Sequence, residues 1–178
     1  MRPRIAPANP PYPPAVQASL DRIMPKGVPP LTLFTTLACD ERLFNRFFSG
    51  GLLDKGHLSI RERELVIHRV TAHCGSEYEW GVHATFFASR IELSDEHIHS
   101  LVHGNGKDAC WDTREGRILD MCDELWDQLR NFHSENAMVE LLMLAGYYRT
   151  VSYLTNALQL PLEVFGRRFP GKEDSKGS

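Results

Sequence analysis

A chain of 178 residues, 42% hydrophobic and 24% charged, has the proportions of one globular domain, long enough for one substantial core and short for two. Its net charge of −3, without any long single-sign run, excludes a nucleic-acid-binding stripe or a polybasic membrane patch. No apolar run approaches the ~20 residues that span a bilayer. Prolines soon after Met1-Arg2 exclude the apolar centre of a signal peptide, so the cytoplasm is the expected compartment. Cys39, Cys74, Cys110 and Cys122 form no Cys-x-x-Cys pair and read as free thiols in a reducing compartment.

Residues 1–14 hold six prolines, which removes amide donors and resists helix formation. The expectation is an extended arm, either disordered or laid across a neighbouring subunit. A single helical domain over 15–165 follows. Its first helix runs from Ala15 to about Met24 and is stopped by Pro25 and Gly27; the second covers Leu31 to Ala38. Asp40 is placed to cap a third, whose stripe is Leu43, Phe44, Phe47, Phe48, Leu52 and Leu53, with Gly50-Gly51 weakening its end. Together with Phe34, Phe86 and Phe87, these phenylalanines predict an aromatic-lined interior.

The segment Glu62 to His83 is the most informative. Ser59-Ile60-Arg61-Glu62 has capping-box form, and Ile60, Val66, Ile67, Val70 and Cys74 recur at helical spacing. Gly75 suits a left-handed helix end. Ser76-Glu77-Tyr78-Glu79 has capping-box form again, so a second helix is expected to start at once. On that helix His83 falls between Trp80 and Phe87, with Glu79 one turn before it. Glu64 lies at the margin of the preceding stripe, in line with His68. If the two helices fold back on each other, Glu64 approaches Glu79 and His83. Two carboxylates and an imidazole in a partly dry pocket perturb each other's proton affinity, the condition for proton transfer near neutral pH. A plainer reading makes Glu79 half of a capping box and Glu79–His83 an ordinary surface pair.

Ser94 opens another helix. On it His99 and His103 stand four apart, a spacing that suits a metal, but the sequence shows no third ligand and no metal is expected. Gly104-Asn105-Gly106 is a turn. Asp112 or Thr113 caps a long helix to Arg130, with Ile118, Met121, Cys122, Leu125, Trp126 and Leu129 as its seam. Ser134 starts the last helix, apolar almost all round from Met138 to Tyr148, as if enclosed by other helices or by another subunit. Tyr148, Arg149, Ser152 and Asn156 then read as polar groups in a buried context, with Arg149 a candidate for a substrate carboxylate. Pro161 ends the helix, and 166–178 is expected to be a flexible tail. No period-2 strand, GxGxxG, P-loop or GxSxG occurs. The expected fold is all-α, a compact helical bundle with 59–74 and 77–91 as its central hairpin.

The run from Arg61 to His83, R-E-R-E-L-V-I-H-R-V-T-A-H-C-G-S-E-Y-E-W-G-V-H, resembles the carboxymuconolactone decarboxylase family. That family shares its fold with the alkyl hydroperoxide reductase D-type peroxidases. The resemblance continues to Gly146-Tyr-Tyr-Arg-Thr-Val-Ser-Tyr-Leu-Thr-Asn-Ala-Leu158 and spans roughly residues 15–160. It implies an alkyl hydroperoxide reductase D-like bundle and assembly into trimers or hexamers. The peroxidase branch carries a glutamate, a Cys-x-x-Cys pair and a histidine four residues after the second cysteine. Matched back from His83, Glu79 stands at the second cysteine, Ser76 at the first and Glu64 at the glutamate. Without a dithiol there is no thiolate to attack a peroxide and none to resolve the product.

What remains is acid–base chemistry. Glu64, Glu79 and His83 are the expected catalytic residues, and Trp80, Phe87 and Arg149 the expected substrate contacts. The substrate would be a small organic acid, lactone or related carbonyl compound. A vinylogous lactone can itself take up the electrons of a decarboxylation, so no cofactor is required. The alternatives are a peroxidase or disulfide reductase working through Cys74 with an external thiol, and a non-catalytic oligomeric binding subunit.

Overall fold

The computed structural model describes residues 3–52, 54–122 and 132–171. They form eight α-helices and one 3-10 helix, with no strand among the described residues. The organising element is α4 (Ile60–His73), which packs against α5 (Glu77–Phe87), α6 (Asp95–His103), α7 (Thr113–Cys122) and α8 (Glu135–Ala157). Its start is a complete capping box: Ser59 Oγ accepts the Glu62 amide, and the Glu62 carboxylate accepts the Ser59 amide at 2.8 Å. Burial works to raise the Glu62 carboxyl, but Ser59, His133 and Arg114 outweigh it and hold it below its ordinary value.

Neighbours surround α4, so burial is continuous from Glu64 to Thr71. The expected single stripe is therefore too narrow, and it is misplaced at its first residue: Ile60 is 44% exposed. Buried Arg69 is satisfied where α6 ends, donating to the carbonyls of Leu101 and Gly104 at 3.2 and 3.0 Å. Those carbonyls lack helical partners, and the negative end of the helix dipole favours a guanidinium there.

Gly75, at φ 63°, ends α4 and lets the chain reverse into α5. The second capping box does not form. Ser76 makes no side-chain cap; its fully buried hydroxyl instead meets Thr155 Oγ1 on α8 at 2.7 Å. A tertiary partner has displaced the local one. The 3-10 helix Ala88–Ile91 prolongs α5, completing the expected hairpin.

The N-terminal third forms α1 (Pro14–Ile23), α2 (Thr32–Leu37) and α3 (Glu41–Ser49). They enclose a small core of Val16, Leu20, Ala38 and Phe44. Asp40 caps α3 as expected, accepting from the Leu43 amide. The described part of the proline-rich arm is bonded to its own chain. Arg4 donates its amide to the Leu158 carbonyl at 2.8 Å, and Ala8 its amide to Thr35 at 2.9 Å.

Three expectations for the C-terminal half need correction or lie out of reach. The continuation of α7 to Arg130, with Leu125, Trp126 and Leu129, falls outside the described residues. Its own chain does not enclose α8, since Leu142 and Met143 are 46% and 57% exposed. Residues 166–171 do not behave as a loose tail; 172–178 fall outside the described residues. Arg167 donates its amide to the Gly81 carbonyl at 3.1 Å, and Phe169 packs on Trp80 with ring centroids 5.0 Å apart. Just upstream, Glu163 accepts from the Tyr78 hydroxyl and the Thr32 amide, tying this segment to α5 and α2. Among the described residues no helix is long and apolar enough to cross a membrane.

Gly81 makes this docking possible, because the Arg167 carbonyl occupies the space a Cβ would take. Gly81→Ala is expected to lower the urea midpoint and to alter tryptophan emission as Phe169 is pushed off Trp80. Overpacking costs ~1–3 kcal/mol, more than the ~1 kcal/mol of helix propensity that alanine returns over glycine. An unchanged midpoint and spectrum would contradict this close approach.

Candidate active site

The turn at Gly75 sets α5 alongside α4, and Glu64 meets His83 across the hairpin. Glu64 is fully buried, and its Oε2 lies 2.8 Å from His83 Nδ1. The other ring nitrogen faces two further groups: Tyr148 Oη of α8 at 3.1 Å and Glu79 Oε1 at 3.4 Å. Phe87 stacks on the imidazole at 5.4 Å, and the Tyr148 ring meets it edge-on at 5.2 Å. The plainer reading of Glu79 and His83 as a surface pair is excluded, since they are 7% and 5% exposed.

Burial alone would lower the His83 pKa. The Glu64 charge and hydrogen bond, then those of Glu79, outweigh it and raise the pKa to about 10. His68, one turn after Glu64, takes the opposite course. It is fully buried, and its Nδ1–H donates to the Glu64 backbone carbonyl at 2.7 Å. Burial dominates there over the attraction of the Glu64 carboxylate and brings the pKa down to about 4. Near neutral pH His83 is thus charged and His68 neutral. Burial also pushes the Tyr148 phenol well above its ordinary range, with Glu79 and Glu64 adding to the effect, so it keeps its proton.

Glu79, His83 and Tyr148 form part of the wall of a cavity of about 740 Å³. Aromatic side chains make much of the remainder: Phe34, Phe47 and Phe48 from the N-terminal third, Phe86 and Phe87 from α5, and Tyr147 from α8. The exposed side chains of Arg22, Asp54 and Arg90 also border it and mark its mouth. The arrangement offers a proton acceptor, a charged proton donor and a phenol to one bound molecule, within an otherwise apolar space.

The three residues expected to carry chemistry are therefore brought together, with Glu64 behind His83 and Glu79 beside it. Phe87 lies on the cavity as expected. Trp80 and Arg149 do not. Trp80 is fully buried between Phe169 and His68, on the side of α5 turned away from the cavity. Arg149 is exposed on α8, about 100° around the helix axis from Tyr148; Asn156 is exposed as well, and only Tyr148 and Ser152 of that group are buried. Sequence reasoning missed His68 as a second, neutral imidazole and Tyr148 as the partner of His83. The Gly146-Tyr-Tyr-Arg run gave a signal for the tyrosine, but not which of its neighbours it would face.

Among the described residues no group of three or more His, Cys, Asp or Glu is placed to hold a metal ion. His99 and His103 have rings 4.9 Å apart, and His103 Nε2–H donates to the Pro170 carbonyl.

No family model matches the chain, and no curated protein matches it. Among solved structures, it is similar to an uncharacterized peroxidase-related protein from Silicibacter sp. TM1040. The TM-score is 0.77 and the identity 17%, over 96% of this chain and 99% of that one. The likeness shows a shared fold. The all-helical, alkyl hydroperoxide reductase D-like bundle expected from the sequence is the fold observed. At this identity a common fold does not carry chemistry with it.

The two histidines predict opposite arms of a stability–pH curve. The folded-state pKa of His83 lies above the ordinary 6.5, so its contribution is complete below about 6.5 and is lost as pH rises through about 10. That of His68 lies below 6.5, so its contribution is complete above about 6.5 and is lost as pH falls through about 4. Urea midpoints should decline on both sides, and imidazole nitrogen shifts at neutral pH should show His83 charged and His68 neutral. Two neutral rings at neutral pH would overturn this assignment.

Proposed function

We propose that the protein is a cofactor-independent enzyme of the carboxymuconolactone decarboxylase-like kind, using Glu79, His83 and Glu64 for acid–base chemistry on a lactone or related carbonyl compound. One observation supports this above the others: Glu79 and His83 meet, buried, on the wall of an aromatic-lined cavity, with Glu64 fixed behind the ring. His83, charged at neutral pH, is the acid. Glu79 is the base. Glu64 holds the ring's orientation and its charge, leaving Nε2 turned to the cavity. With Nε2–H donated to the Tyr148 oxygen, the phenol hydrogen is free to reach a ligand oxygen.

In the simplest step, Glu79 removes a proton from the carbon beside a carbonyl. The C–H electrons pass to the carbonyl oxygen, which takes a proton from His83 directly or through Tyr148. In a decarboxylation the electrons come from the C–C bond instead: carbon dioxide leaves, a vinylogous lactone receives the pair, and the carbon is then protonated. The surrounding aromatic rings exclude water, which strengthens each electrostatic contact.

The test is deuterium wash-in or carbon dioxide release on a panel of lactones and keto acids. Positioned acid–base groups are worth ~10²–10⁴ in rate, and Glu79→Gln should lower turnover by that order with the helical circular dichroism unchanged. His83→Gln should do the same, but it leaves the Glu64 charge buried without a partner. The double variant Glu64→Gln/His83→Gln removes that charge and should recover stability without recovering turnover. Turnover indifferent to these changes would reject the proposal.

A thiol peroxidase is the second reading, favoured by the description of the solved neighbour as peroxidase-related. The site geometry weighs against it, because the cavity lining includes none of Cys39, Cys74, Cys110 and Cys122. Cys74 is half-buried at the C-terminal end of α4, where the helix dipole disfavours a thiolate. Peroxide consumption with an external thiol, abolished in Cys74→Ser, would replace the acid–base reading with this one. The expected result is no consumption that depends on Cys74.

A further inference from the structure

We infer that the ligand of this cavity is an elongated, largely apolar monoanion that enters neutral end first, its anionic group held at the mouth by Arg22 and Arg90. The inference rests on the acid–base reading of the inner end in its proton-abstraction form, not its decarboxylation form, and names the substrate class for that same site. It starts from volume. About 740 Å³ is the size of a cavity that encloses a drug-sized molecule, so a minimal lactone would leave most of it unfilled.

Charge gives the orientation. At the inner end two carboxylates, Glu64 and Glu79, face one imidazolium, His83, a formal balance of −1. A ligand carboxylate there would be desolvated beside Glu79 and repelled by it. Glu79 Oε2 is buried with no hydrogen-bond partner among the described residues. A buried acceptor in this state calls for a donor, and a neutral group bearing O–H, N–H or an acidic C–H supplies one.

The mouth has the opposite balance. Arg22 from the last turn of α1 and Arg90 from the 3-10 helix stand with the single carboxylate of Asp54, a formal +1. The Arg90 guanidinium lies 5.8 Å from the centre of the Phe87 ring, and Phe87 in turn stacks on His83. A molecule lying along this aromatic wall therefore has a cation near its outer end and the acid–base pair at its inner end. Neither arginine is in an ion pair among the described residues. Between the two ends, Phe47 and Phe48 provide the contacts for an apolar body.

Calorimetric titration with phenylhexanoate and its primary amide tests the inference. The two probes have nearly the same shape and differ in charge at one end. The wild-type protein should bind the carboxylate at least ~10-fold more tightly than the amide, as charge-assisted contacts are stronger than neutral ones. Arg22→Gln/Arg90→Gln should remove this preference by weakening the carboxylate alone. Glu79→Gln should keep it, since the anion lies at the far end. Equal affinities, absence of binding by both probes, or a preference that survives the double arginine change would each overturn the inference. Binding needs no turnover, so the two proposals fail separately. A charge preference with no Glu79-dependent turnover rejects only the chemistry, and Glu79-dependent turnover without the preference rejects only the ligand class.

Discussion

The contact between Glu64 and His83 constrains the rest of the site. Bringing two charges out of water costs several kcal/mol for each ion, repaid only when their geometry is good and fixed. Here the carboxylate is fully buried on α4, the helix with neighbours on every side, and the imidazole reaches it from α5 across a one-glycine reversal. Because Nδ1 is committed to Glu64, Nε2 has a single direction left, toward Glu79, Tyr148 and the cavity. Committing one ring nitrogen to an orienting group is how a histidine's tautomer and aim are set.

The same glutamate governs His68 and His83 by different atoms. Its carboxylate pairs with His83, and its backbone carbonyl accepts from His68. The carboxylate oxygen stands 3.9 Å from His68 Nδ1, against 2.8 Å for His83. The nearer ring gains enough attraction to stay charged, while for the farther one the cost of burial prevails. Each charged ring would also disfavour a second beside it. The charged ring is thus the one that faces the cavity.

Much of the fold was legible because its signals are local. Ser59 with Glu62, Asp40, Ser94, Ser134 and Gly75 mark helix ends through bonds made within a turn, and each does so in the folded chain. Ser76 shows the limit: the same local pattern was present, but Thr155, distant in sequence, took the hydroxyl. The meeting of Glu64, Glu79 and His83 was readable from helix periodicity and one turn. Trp80 and Arg149 were misplaced because an apolar neighbourhood in sequence does not say which side of a helix meets which neighbour. The aromatic character of the cavity wall was readable but its place opposite His83 was not, since Phe34, Phe47 and Phe48 reach it from elements with no local signal of that residue.

The division of the cavity between distant parts of the chain has a consequence for how such a protein diversifies. The titratable groups of the site belong to the α4–α5 hairpin and one tyrosine of α8, whereas Met24, Phe34, Phe47 and Leu52 shape the space from the N-terminal third. Arg4, Thr32 and Leu33 fasten that third to the body through their own backbone amides, donated to the Leu158 carbonyl, to Glu163 and to the Tyr78 hydroxyl, contacts that do not depend on the side chains of those three residues. Descendants of this chain can therefore reshape the cavity by drift in the first fifty or so residues, with the cluster of Glu64, Glu79, His83 and Tyr148 left untouched.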